Sequence, residues 1–219
     1  MSSDVLSPPQ RAFATLRGLA KKRALAEVCE LCSAPLAGDH QHLIEPGARK
    51  LLCACDACAL LFSAQNGTRY KRVPRRARHL TDFNLTEAQW DALMLPINMV
   101  FFFRSTPDQR VVALYPSPAG PTESLLALEA WNDIVQDNPA LAGMEPDVEA
   151  LLVNRLGHTR GFSAPEYYLT PIDECYRLVG LIRSNWRGLS GGSEVWRDIG
   201  RFFEGLREKA ISTPGGKRA

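Results

Sequence analysis

The stretches Cys29-Glu-Leu-Cys32 and Leu52-Cys53-Ala-Cys55-Asp-Ala-Cys58 hold five of the six cysteines in this 219-residue chain. Two Cys-x-x-Cys elements separated by 22 residues can each turn tightly enough to aim two thiolates at one ion. Four thiolates in a tetrahedral array suit Zn²⁺ or iron. Tetrahedral coordination needs four donors, and this cluster offers five. Cys29, Cys32, Cys55 and Cys58 form the regular set, because both pairs then share one spacing. The competing set puts Cys53 in place of Cys55, since residues two apart on a strand share a face and either could meet the metal.

Outward from the cysteines, His40 and His42 stand between the pairs, two residues apart as strand alternation requires. They suit a polar loop, and would ligate only if a thiol were displaced. A closed four-thiolate zinc site contributes folding free energy, whereas an iron site of the same shape moves one electron. Ser33 and Ala59 follow the two Cys-x-x-Cys elements where rubredoxins usually place glycine, which favours zinc and keeps iron as the alternative. Short strands flanking two turns would make residues 29–62 a zinc-ribbon or rubredoxin-like four-cysteine module.

The rest of the chain divides around that module. Phe13, Leu16, Leu19, Ala20 and Leu25 recur at helical spacing and predict an N-terminal helix within residues 1–28. Residues 63–80 read as a basic linker, with Asn66-Gly67 as a turn and six Lys/Arg in the eleven residues from Arg69 to His79. Residues 1–80 carry a net charge of +7 and residues 81–219 a net of −5. Such a basic run can dock on nucleic acid or on an acidic protein surface, or remain a solvated linker.

Residues 81–210 read as an α+β domain with a β-hairpin and several amphipathic helices. Thr86-Glu-Ala-Gln89 is a capping box that starts a helix, with Leu85 and Trp90 as its staple and Pro96 as its end. Asn98 to Phe103 and Arg110 to Tyr115 predict the hairpin. Helices are expected over Pro121–Asp137, after Pro146 through Leu156, from an Asp173 N-cap to Trp186, and from Val195 to Leu206. Tyr167 to Pro171 reads as a strand, and residues 211–219 as a disordered tail.

With 45% hydrophobic and 23% charged residues, the chain has the balance of a soluble globular protein. Its start lacks the pattern of a signal peptide, and the apolar run from Ala92 to Phe103 is too short to span a bilayer. Clustered thiols then fit a reducing cytoplasm with metal bound. Nothing points to catalysis: Cys175 reads as a buried small hydrophobe, and His158 has no serine elbow, phosphate-loop lysine or paired carboxylate beside it. Two Pro/Gly loops, Tyr115–Thr122 and Arg187–Ser193, each precede a predicted helix and could present backbone N–H groups to an anion or a partner carboxylate.

Several of these strings together carry a resemblance. Cys29-Glu-Leu-Cys32, Leu52 to Phe62, Tyr115-Pro-Ser-Pro-Ala-Gly120, Glu145 to Arg155, Pro171 to Arg183 and Trp186 to Gly192 resemble an uncharacterised bacterial family associated with gene clusters for high-affinity nickel-iron hydrogenases. The resemblance implies an accessory in hydrogenase assembly or maturation, with no reaction of its own. Its partner would be a hydrogenase subunit or maturation factor, met by Arg75, Arg76 and Arg187, since arginine pairs bidentately with carboxylates. A rubredoxin-like electron-transfer partner and a nucleic-acid-binding zinc-ribbon protein are the alternatives.

Overall fold

The computed structural model describes residues 27–63, 69–124, 128–157 and 164–216. The predicted helix before residue 27, the Asn66-Gly67 turn and His158 lie outside them. Two sheets organise the described chain. The smaller has three strands in the order β2-β1-β3, built from β1 (Gln41–Glu45), β2 (Lys50–Ala54) and β3 (Lys71–Arg72), with helix α1 (Asp56–Ser63) between β2 and β3. The larger has seven strands in the order β10-β4-β9-β8-β5-β6-β7. Its members are β4 (Arg78–Thr81), β5 (Met99–Ser105), β6 (Arg110–Ser117), β7 (Gly120–Ser124), β8 (Glu149–Asn154), β9 (Glu166–Pro171) and β10 (Ile211–Pro214).

The large sheet is covered on both faces. Side chains alternate along a strand, so β5 sends Met99, Phe101 and Phe103 to one side and Val100 and Phe102 to the other. The first side packs on helices α4 (Ile172–Asn185) and α5 (Gly192–Lys209) through Cys175, Leu178, Ile199 and Phe203. The second packs on α2 (Glu87–Ala92) and α3 (Leu128–Asp137) through Trp90, Trp131 and Ile134. The architecture is therefore mixed α+β, with the four cysteines near its N-terminal end.

Several predicted elements form as read. The capping box closes in both directions: Gln89 N–H donates to Thr86 Oγ1 and Thr86 N–H donates to Gln89 Oε1. The hairpin of β5 and β6 pairs Phe101 with Leu114 and Ser105 with Arg110.

Other predicted elements change type. Residues 149–154 form strand β8 in place of the helix predicted after Pro146, with Glu149 through Val153 all buried. A central strand buried on both faces reads as a continuous apolar run, which periodicity does not separate from a short helix. Of the helix expected over Pro121–Asp137, Leu128–Asp137 forms α3, whereas Gly120–Ser124 pairs with β6 as strand β7. The basic linker contributes strands β3 and β4, and the tail predicted to be disordered supplies β10, parallel to β4. Asp173 sits in the first turn of α4, whose N-cap is Pro171.

Candidate metal centre

The first knuckle is shaped by its own backbone. Cys29 N–H donates to Ala34 O at 2.8 Å and Ser33 N–H to Cys29 O at 2.7 Å, closing a tight loop around Glu30 to Ser33. Ser33 takes a positive φ of 61° at the position where rubredoxins usually place glycine, so a serine sustains the left-handed turn here. An isolated bridge from Val28 to Pro35 ties the ends of the loop together.

The second pair is built differently. Strand β2 ends at Ala54, Cys55 lies in the bend that follows, and Cys58 falls in the first turn of α1. Cys58 N–H donates to Cys55 Sγ at 3.5 Å. The second turn of a zinc ribbon is thus replaced by a helix start.

These two pieces bring Cys29, Cys32, Cys55 and Cys58 together, with their four Sγ atoms all within 4.8 Å of one another. Cys32 Sγ and Cys55 Sγ are 3.7 Å apart. A disulfide would need about 2.0 Å. Tetrahedral zinc with Zn–S bonds of ~2.3 Å holds its sulfurs about 3.8 Å apart, and the Cys32–Cys55 distance is compatible with that spacing. All six cysteines of the chain are free thiols.

Electrostatics favour a cation at this point. Burial works to raise the Cys29 thiol, but N–H donors from Cys55, Leu31 and Cys32 overcome it and hold its pKa down to about 6. Cys58 is pushed up to about 12 by desolvation and by the thiols of Cys32, Cys55 and Cys29 around it. Crowded thiols titrate as a set: the first ionises easily and the last resists, because negative charge accumulates in one small space. A divalent cation removes that resistance, and the cluster could hold a metal ion. Cys29 and Cys58 are buried, Cys55 is half-buried and Cys32 is exposed. The surrounding core is small, with Leu43, Ala54 and Ala59 as its other buried members.

The structure thus gathers the regular set and leaves Cys53 out. Ala54 and Leu43 face the four thiols, whereas Cys53 and its cross-strand partner His42 face the opposite way, towards α4. The argument that Cys53 and Cys55 share a face fails because β2 stops at Ala54. Cys53 groups instead with His40 and His42. Strand alternation at His40-Gln-His42 was legible; the partnership with Cys53 needed the hairpin register.

The predicted contact residues fall elsewhere. Arg75 is exposed and pairs with Asp39 at 3.3 Å. Arg76 is exposed and makes no ion pair or side-chain hydrogen bond among the described residues. Arg187 lies beyond α4 and donates to the carbonyls of Ser184 and Trp186. Much of the basic run is paired with acceptors of the same chain: Arg69 with Glu45, Lys71 with Asp147, Arg72 with Gln41 and Arg78 with Glu149. Of the two loops that could present N–H groups to an anion or a partner carboxylate, Tyr115–Thr122 is the β6–β7 hairpin and spends its backbone groups on the ladder. Arg187–Ser193 does lead into α5, through Gly191 in the left-handed region. Cys175 is fully buried, and desolvation raises its thiol pKa well above the ordinary value, as expected of a packing residue. Among the described residues no helix is long and apolar enough to cross a membrane.

Compared with known proteins, residues 28–210 match the model of a family described as a family of unknown function, DUF5947. The match covers both cysteine pairs and both sheets except the β10 edge, and the chain belongs to that family. No curated protein and no solved structure matches it.

Proposed function

We propose that this protein is a non-catalytic accessory whose four cysteines hold one structural Zn²⁺, and that it serves in the assembly or maturation of a nickel-iron hydrogenase. The observation that carries the zinc reading is the convergence of four Sγ atoms within 4.8 Å, at the meeting point of a knuckle and a helix start. A closed four-thiolate shell leaves no position for substrate, which suits a structural ion. The local core is too small to hold the knuckle, hairpin and helix together unaided, so metal binding and local folding would be one event.

The hydrogenase role rests on the sequence strings that resemble that family. Arg76 and Arg187 remain exposed contacts for a protein partner. Internal pairing of the basic run favours a protein partner over nucleic acid, because phosphate binding would require those cations to give up carboxylates already in hand. Iron electron transfer is the second reading, favoured by the exposure of Cys32, which places one edge of the cluster at the surface.

Metal analysis of protein purified without added metal tests the zinc reading. Zinc is expected, with one equivalent lost on Cys32→Ser. Iron with visible thiolate-to-iron absorption contradicts it. Co-purification from cells expressing the hydrogenase tests the role: capture of a hydrogenase subunit or maturation factor that weakens in an Arg76→Glu, Arg187→Glu variant is expected, and absence of any such protein contradicts it.

A further inference from the structure

On the face of the small sheet opposite the four cysteines, a second ligand set converges. One ring nitrogen each from His40 and His42 and the Sγ of Cys53 lie within 4.8 Å of one another. The register of the hairpin explains the meeting: His42 and Cys53 are direct cross-strand partners, and His40 precedes β1 on the same face as His42. The two imidazoles stand edge to face with centroids 4.8 Å apart.

Each histidine is already oriented by its other nitrogen. His42 Nδ1 is 2.6 Å from an Asp173 carboxylate oxygen, so its Nδ1–H is donated there and Nε2 is the nitrogen left for an ion. His40 Nδ1 lies 3.0 Å from Ala37 O and 3.5 Å from a Glu27 carboxylate oxygen, which again places the proton on Nδ1. Its side chain is only 8% exposed, and its Nε2 is buried without a hydrogen-bond partner. A buried acceptor left unsatisfied is destabilising, and such a group calls for a ligand. A carboxylate or backbone carbonyl on the distal nitrogen is the support that metal-bound histidines use to fix tautomer and ring direction. The Cys53 backbone is held in turn, with Glu30 N–H donating to Cys53 O at 2.9 Å and Cys53 N–H donating to the Glu30 carboxylate at 2.7 Å.

We propose that His40, His42 and Cys53 form a second metal site, for a borderline divalent ion of the zinc class. Two imidazoles and one thiolate match that class, and three protein ligands leave the fourth tetrahedral position to water. A cavity of about 380 Å³ between β2 and α4, lined by His42, Cys53, Asp173 and Tyr176, gives that position access to solvent. Unlike the closed four-thiolate site, this one joins the two parts of the fold, because Asp173 belongs to α4 and the ligands to the β1–β2 hairpin. The fifth thiol of the cluster thus has a partner set of its own.

The test is titration of the full chain, stripped of metal under reducing conditions, with Co²⁺ as the probe. Two equivalents are expected, one with the intense charge-transfer bands of four thiolates and one with the weaker sulfur band of a mixed nitrogen-sulfur site. His42→Ala and Cys53→Ala should each remove the second and keep the first, whose retention shows that the module is folded. Asp173→Asn should weaken the second by about 10–100-fold and leave the first unchanged. A single equivalent in the unmodified chain, lost in Cys32→Ser and untouched in His42→Ala, overturns the second site and leaves the four-cysteine site standing. A second equivalent that persists in both His42→Ala and Cys53→Ala overturns the ligand assignment.

Discussion

Single residues decide which thiols meet. Cys53 and Cys55 are equivalent by spacing, and they part because β2 ends between them. That break was not legible, since Leu51 through Cys55 reads as one apolar strand and nothing in it marks where the ladder stops. The left-handed turn at Ser33 was equally hidden: serine there argues against such a turn by propensity, yet the loop bonds around it impose a φ of 61°. Gly191 shows the opposite case. With φ at 86° and a Cβ that would press on Val195 and the Trp186 ring, only glycine fits where α5 begins. Gly191→Ala is expected to cost about 1–3 kcal/mol, read as a lowered urea midpoint with unchanged m-value. Metal content should not change, because the four thiols belong to a different part of the chain.

Among elements, those that carry local punctuation, such as the strand ending at Pro171, were readable, and some specified only by burial or pairing were not. The capping box at Thr86 and the β5–β6 hairpin carry their own punctuation. Strand β8 has none: Ala150-Leu-Leu-Val153 is apolar on both faces because β5 and β9 flank it and helices cover it. Leu151→Ala and Leu152→Ala are each expected to cost about 2–5 kcal/mol, since the two side chains enter different cores on opposite sides of the sheet. A near-neutral result for either in chemical denaturation would contradict a strand buried on both faces. Strand β10 was missed for a related reason: Ile211-Ser-Thr-Pro214 has little apolar content, and its order comes from pairing with β4. Gly216 lies so close to the Asp82 carbonyl oxygen that no Cβ fits there. Truncation after Ala210 should therefore lower the melting temperature by several degrees by exposing the β4 edge.

Across the two sheets, the small one is fastened to the large one by ion pairs. Arg49, in the turn before β2, donates to Asp108 at 2.7 Å and to Glu123 at 2.9 Å, and its guanidinium lies over the Phe103 ring. Lys71 on β3 reaches the buried Asp147 at 2.6 Å. Arg110 and then Arg49 hold the Glu123 carboxyl below the usual range, and Arg49 with Ser105 does the same for Asp108. A carboxylate whose folded pKa is depressed contributes stability above its unfolded pKa of about 4, and that stability is lost as pH falls through the folded value. In an NMR titration, Arg49→Met is expected to raise both carboxyl midpoints towards the ordinary value; unchanged midpoints would remove Arg49 from the clamp. These contacts span from 59 to 76 residues of sequence, which is why the region between the cysteines and the larger sheet read as a linker.

The central claim is that Cys29, Cys32, Cys55 and Cys58 surround one zinc ion. X-ray absorption at the zinc edge on the His42→Ala protein isolates that site from the mixed one. The prediction is a first shell of four sulfurs at about 2.3 Å, with no nitrogen or oxygen scatterer. Three or fewer sulfurs, or a preparation that carries iron in place of zinc, would contradict it.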